Sequence, residues 1–185
     1  MDNIKLAEAY YECARNEIIQ RIRLRDYILL VFLGAVSAIF SSVFRSSAEI
    51  EIVLVIPYLT LGAGVLVCQH NSKIGSLAEY CSVELEKFFH TNLEGSLPPQ
   101  WDNSKSLKEY SKYSITLRSW GHFIILLAPC APALMLTVEH ATGSFPLCVV
   151  WWGCLVCCGF VAWLKRHSFH VRNDIHSKIF AANNG

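Results

Sequence analysis

Residues 27–44 read YILLVFLGAVSAIFSSVF, a run without a single Asp, Glu, Lys or Arg. A helix needs about 20 residues to cross about 30 Å of hydrocarbon, so this run is long enough, or nearly so, to span a bilayer. Three more runs of the same kind follow, at Ile52 to Gln69, Trp120 to Val138 and Phe145 to Leu164. Four spans are therefore expected. The runs could instead be core helices of a large soluble protein, but 185 residues supply too little other surface to cover four of them.

Working outward, charge is concentrated between the runs. The chain is 53% hydrophobic and only 17% charged, with a mean hydropathy of +0.34. Expulsion of ionised groups from four stretches is what lipid demands, because a charge at bilayer depth costs several kcal/mol. A formal net charge of +1 gives no general attraction for nucleic acid, and no Gly-rich phosphate loop appears, so no direct nucleic-acid site is expected. Of the 16 Lys and Arg, 15 lie in residues 1–26, 70–119 and 165–185, and Arg45 alone lies in a loop on the other side. The positive-inside rule puts those three segments, and both termini, in the cytoplasm. The opposite loops, Arg45 to Glu51 and Glu139 to Ser144, are turn-sized and leave little to recognise an external ligand. Tyr27, Trp120, Trp151 and Trp163 sit near span ends, where amphipathic rings favour the headgroup zone. The first run follows a polar segment of 26 residues, so the first span is expected to act as the targeting signal itself.

The expected fold is all-α: four transmembrane helices in two hairpins with amphipathic cytoplasmic helical extensions. Residues 1–26 form an amphipathic helix, 27–69 the first hairpin, 70–119 a cytoplasmic helical segment, 120–164 the second hairpin and 165–185 a basic tail. Between Asn3 and Arg25, Ile4, Ala7, Tyr11, Ala14, Ile18 and Ile22 recur at three- and four-residue steps, and no Pro or Gly intervenes before Gly34. This predicts one helix running on into the first span. After the second span, Ile74, Leu77, Cys81, Leu85 and Phe88 form a second stripe. A tight turn between spans one and two would set the stripes antiparallel, so Tyr11, Ile18, Ile22, Leu77 and Leu85 are expected to close a coiled-coil-like stem. Gly95-Ser-Leu-Pro-Pro99 breaks the pattern, and Lys105 to Arg118 resumes as a helix feeding the third span. In the tail, Phe169 and Ile179 among basic residues suit an anionic leaflet.

Gly34, Ala38 and Ser42 form a small-xxx-small ladder on the first span, and Cys154, Cys158 and Ala162 a looser one on the fourth. Such ladders permit close helix packing, either within one chain or between subunits of a homo-oligomer. Pro57, with Gly62 and Gly64, and Pro129 with Pro132 weaken backbone bonding at membrane depth and predict kinks. Broken helices line transporter sites beside buried polar groups, but here Thr60, His122 and Thr137 are almost the only candidates, and no intramembrane carboxylate exists to relay a proton. Cys68, Cys130, Cys148, Cys154, Cys157 and Cys158 lie in apolar runs and read as small apolar residues. Cys13 and Cys81 fall where thiols stay reduced. Cys154-Leu-Val-Cys157 matches a CxxC pattern, yet it has no second pair to complete a zinc site. His167, His170 and His176 are too loosely spaced in the tail to favour a metal over solvent. Arg21, Arg23, Arg25 and Asp26 stand at the mouth of the first span, where arginines could hold phosphate but also do routine topological work. Glu79, Glu84 and Glu86 read as a solvated face. No nucleophile, cofactor site or metal site can be named, so no enzymatic activity is expected.

The order of amphipathic helix, span, tiny loop, span, cytoplasmic helix and second hairpin resembles the small multi-span effectors of bacterial anti-phage systems. These include the membrane effectors encoded beside retrons and the two-span effectors beside nucleotide-signalling enzymes. The matching pieces are RIRLRD at Arg21 to Asp26 before span one, and IPY at Ile56 to Tyr58 with Gln69 and His70 around span two. Two hairpins depart from the two-span pattern. The resemblance implies a dormant protein of the bacterial inner membrane that answers an infection signal, permeabilises the membrane and stops the cell. A cytoplasmic regulatory protein or nucleoprotein would be its partner. Cys157-Cys-Gly159 is similar to the tetraspanin CCG signature, but that motif belongs to a large extracellular loop and here lies inside a span. The other readings of the chain are a non-toxic membrane anchor for a cytoplasmic partner and a small transporter or channel subunit.

Overall fold

The structure is a computed structural model that describes residues 3–45, 49–92, 117 and 120–182, with backbone only for residue 165 and residues 168–182. Every element among them is helical. The expected loop at 95–99 and, Leu117 excepted, the helix expected from Lys105 to Arg118 lie outside the described residues.

Helix α1 runs unbroken from Asn3–Arg45, about 65 Å at 1.5 Å per residue and about twice the hydrocarbon thickness. Gly34 is its one glycine and it holds no proline, so nothing in its sequence breaks the ladder. The amphipathic stripe and the first apolar run thus share a single helix. After a 3₁₀ turn at Ile50–Leu54 come α2 at Val55–Glu79, a π-helical turn at Tyr80–Leu85 and α3 at Glu86–Asn92. Pro57 lies in the first turn of α2, not in its interior. An absent N–H costs nothing there, and the fixed φ helps the helix to start.

The third apolar run is interrupted. Helix α4 covers 120–127, residues 128–129 form a turn, and α5 is Cys130–Gly143. Pro129 and Pro132 have no N–H to give to the carbonyls one turn earlier, which is the physical cause of the break. Neighbouring groups bond to carbonyls near it: Thr60 Oγ1 donates to Leu126 O at 3.2 Å and Trp151 Nε1 to Leu134 O at 3.1 Å. Ser144, extended at φ −141°, ends α5, and α6 follows as Phe145–Ala182.

Among the described residues, four helical stretches are long and apolar enough to cross a membrane: Asn3–Arg45, Ile50–Asn92, Trp120–Gly143 and Phe145–Leu164. Only 17% of the most apolar window of the first and of the last is buried inside the protein, so most of that surface faces outward and is compatible with lipid.

The chain divides into two compact units, Met1–Arg25 with His70–Trp120 and Asp26–Gln69 with Gly121–Gly185. In the apolar unit, Leu29, Phe32 and Val36 of α1 pack with Val53, Ile56, Ala63 and Val67, and with Leu126, Cys130 and Ala133. The three- and four-residue steps put these side chains on one face of each helix. From α6, Cys154 Sγ donates to Leu54 O at 3.4 Å. Thr60 and Thr137, both wholly buried, are hydrogen-bonded, as polar groups inside an apolar core must be.

Candidate functional site

The amphipathic unit holds the side chains with most chemical variety. Ala7 and Ala14 of α1 are buried against Cys81 and Leu85, with Tyr11, Leu77, Tyr80, Phe88 and Phe89 half-buried around them. The small alanines of one stripe meet the larger residues of the other, which lets the two helices approach closely. Ile18 is buried one turn further on, and Ile22 is half-buried. Tyr11 also carries the Arg15 guanidinium over its ring at 5.7 Å, and Arg21 Nε meets Glu17 Oε1 at 2.6 Å along the same helix.

At one end of this packing lies a cleft of about 310 Å³, lined by Asn3, Leu6, Ala7 and Tyr10 of α1 and by Tyr80, Glu84, Leu85 and Phe88. Its volume is near the lower limit of small-ligand sites. The π-helical turn shapes it. The wider turn keeps Cys81 and Leu85 inward, while Tyr80 and Glu84, four apart, both line the cleft. Burial first, and then the Glu84 charge, push the Tyr80 phenol above the ordinary tyrosine range. The cleft therefore offers an apolar floor, two phenols and a single carboxylate. Read on the sequence as part of a solvated face with Glu79 and Glu86, Glu84 is exposed but borders this cleft.

A second polar feature lies at the far end of the same unit. Arg25 is buried, and its Nη1 donates to Asn71 Oδ1 at 3.1 Å. The adjacent His70 is buried too, and its Nδ1 has no hydrogen-bond partner. The burial of Arg25 and His70 was not read from the sequence, although the stripes carried a signal for it. Extending the α1 stripe past Ile18 by two turns reaches Arg25, and extending the second stripe back from Ile74 by one reaches His70.

The remaining sequence candidates fall in different settings. Gly34, Ala38 and Ser42 are all exposed, and a Cβ at Gly34 would meet nothing within 4 Å. Ser42 Oγ donates to Ala38 O at 2.9 Å along the helix. Of the second ladder, Cys154 is buried and Cys158 and Ala162 are half-buried. Sequence spacing did not show that Cys158 would pack with Cys130, or that Thr60 Oγ1 would lie 3.2 Å from Cys130 Sγ. Among the described residues no group of three or more His, Cys, Asp or Glu is arranged to hold a metal. His167 stacks on Trp163 at 5.4 Å, while the side chains of His170 and His176 lie outside the described residues. Comparison with protein-family models, curated proteins and solved structures finds no match to this chain.

Proposed function

We propose that the chain is a non-enzymatic effector of the bacterial inner membrane, with both termini cytoplasmic, that permeabilises or depolarises the membrane when its amphipathic unit receives an infection signal. The observation that carries this reading is helix continuity. In α1 the buried face of the amphipathic unit and the first apolar run belong to one uninterrupted helix of 43 residues. A change in how the two stripes pack then has a covalent, hydrogen-bonded route into the span, as a two-state switch requires. The cleft between Tyr10 and Glu84 is the place for a regulatory protein or nucleoprotein to act on that packing. The exposed face with Gly34, Ala38 and Ser42 suits contact between copies in a homo-oligomer. The anti-phage setting rests on the resemblance in helix order.

Membrane potential and viability in a bacterial host test this, during induced expression, with and without phage challenge, and with genomic neighbours present or removed. Depolarisation that depends on challenge or on loss of a neighbour is the expected result. The alternative reading, a non-toxic anchor that holds a partner through the same cleft, predicts a polarised, growing cell under every condition. A small transporter predicts saturable flux without killing.

A further inference from the structure

Charge is divided along the amphipathic unit. Residues 3–12 of α1 and residues 79–88, which pack against them, carry five glutamates and two lysines, whereas residues 15–25 carry four arginines and one glutamate. The end that holds the cleft is thus acidic, and the end next to the apolar runs is basic. At the cleft itself the imbalance is complete. Glu84 is its only acidic lining residue, no Lys, Arg or His borders it, and Glu84 has no ion-pair partner among the described residues. The Tyr80 phenol lies within electrostatic reach of both the Glu84 carboxylate and Tyr10, so these three side chains border one space.

The rest of the cleft suits a hydrocarbon stem. Ala7 and Leu85, 5% and 6% exposed, form its floor with Leu6, and the rings of Tyr10, Tyr80 and Phe88 border it. An aromatic ring attracts a cation through its quadrupole and a carboxylate attracts it through charge, so together they select a cationic head and disfavour an anionic one. Lysine and arginine join such a head to a run of methylenes that prefers apolar surface. A volume of about 310 Å³, near the lower limit of ligand sites, fits one long side chain better than a larger ligand. Tyr10 and Glu84 are exposed, which leaves the charged rim open to approach.

We infer that this cleft takes a lysine or arginine side chain of a regulatory protein, with its methylenes on Leu6, Ala7 and Leu85 and its cationic head among Glu84 and the rings of Tyr10, Tyr80 and Phe88. The inference rests on the reading of the cleft as the place where such a protein acts. It is tested by binding alone, so it can fail while cells depolarise, and depolarisation can fail while the cleft binds.

The test uses the full chain, purified in detergent and labelled with ¹³C in its tyrosine rings. The Tyr10 and Tyr80 signals are assigned as those lost in Tyr10→Phe and Tyr80→Phe. Three probes are titrated separately: N-acetylarginine amide, N-acetylcitrulline amide, which keeps the shape without the charge, and tetramethylammonium, which keeps the charge without the stem. The inference expects the arginine probe to shift both signals and to saturate at about millimolar concentration, and the citrulline probe to need about tenfold more or not to bind. Glu84→Gln should weaken arginine binding by about threefold or more, and Glu12→Gln, at an exposed position outside the cleft, by less than about twofold. The inference is overturned if no probe moves either signal, if citrulline acts as arginine does, or if the two glutamate variants lose affinity equally. Tetramethylammonium binding as tightly as the arginine probe would also overturn it, in favour of a small ammonium compound. Shifts of both signals on concentrating the protein without a probe would overturn it in favour of a second copy of the chain.

Discussion

A Cβ built at Gly64 would lie 3.1 Å from both Cγ1 and Cγ2 of Val161, and one at Gly153 would lie 2.7 Å from the Tyr58 hydroxyl oxygen. The two contacts differ in how they can yield. Val161 is β-branched, short and buried, so it has no second rotamer to retreat into, whereas the Tyr58 hydroxyl ends a long side chain held by a 3.4 Å bond to Val150 O. Gly64→Leu is therefore expected to destabilise the apolar unit by about 1–3 kcal/mol, and Gly153→Ala by less, in unfolding followed by circular dichroism in detergent. Gly34→Leu is the contrasting case. With nothing within 4 Å it should leave the melting curve of the monomer unchanged, so a smaller particle on size exclusion with unaltered melting would place the ladder between copies. If both particle size and melting stay as in the wild type, the ladder faces lipid only. Tyr80 supplies a pH test. Its proton is held more tightly in the folded chain, by burial first and the Glu84 charge second. The corresponding stability is complete below the ordinary tyrosine value of about 10 and is lost as pH rises through the raised one. Glu84→Gln removes one of those causes and should bring Tyr80 ionisation to lower pH, seen as tyrosinate absorbance relative to Tyr80→Phe.

At the scale of elements, the pairing of the two stripes carries the stability of the amphipathic unit. Leu85 is 6% exposed and touches both the stripe core and the cleft, so Leu85→Ala should cost about 2–5 kcal/mol and enlarge the cleft. Under the effector reading it should also uncouple triggered depolarisation from membrane insertion, with the protein still in the membrane fraction. The stripes themselves were legible because spacings of three and four at Ala7, Tyr11, Ala14 and at Leu77, Cys81, Leu85 project one face of a helix. The π-helical turn was not, since Tyr80-Cys-Ser-Val-Glu-Leu85 contains neither Pro nor Gly and its extra residue per turn leaves no mark on composition. The cleft joins Tyr10 to Glu84, residues far apart in sequence, and only tertiary packing could reveal it. Prolines were legible as breaks but not as to kind: Pro129 parts α4 from α5, while Pro57 helps α2 to begin. The small-residue ladder had the same limit. Spacing says that Gly34, Ala38 and Ser42 share a face, but which face turns inward is decided by Phe32 and Val36, the larger neighbours that the core recruits.

The whole molecule poses a question of sidedness that packing alone does not answer. Apolar surface makes four helices among the described residues fit to cross a bilayer, and the asymmetry of basic residues is then expected to select between the two opposite insertions. With 15 of 16 Lys and Arg in residues 1–26, 70–119 and 165–185, the weaker alternative would carry nearly all of them across the membrane. A fluorescent-protein fusion at the C-terminus is accordingly expected to glow, and an alkaline phosphatase fusion at the same point to stay inactive, because that enzyme matures only after export. Phosphatase inserted after Arg45, in the loop with a single basic residue, should be active. The reverse pattern would put the cleft of Tyr10, Tyr80 and Glu84 outside, and with it any signal the amphipathic unit receives. An intracellular trigger would then be excluded even if the cell depolarised. Adding three lysines after Arg45 tests the physical cause directly. If charge asymmetry sets the insertion, the added lysines should raise the fraction of inverted or misinserted chains, whereas three added glutamines should not.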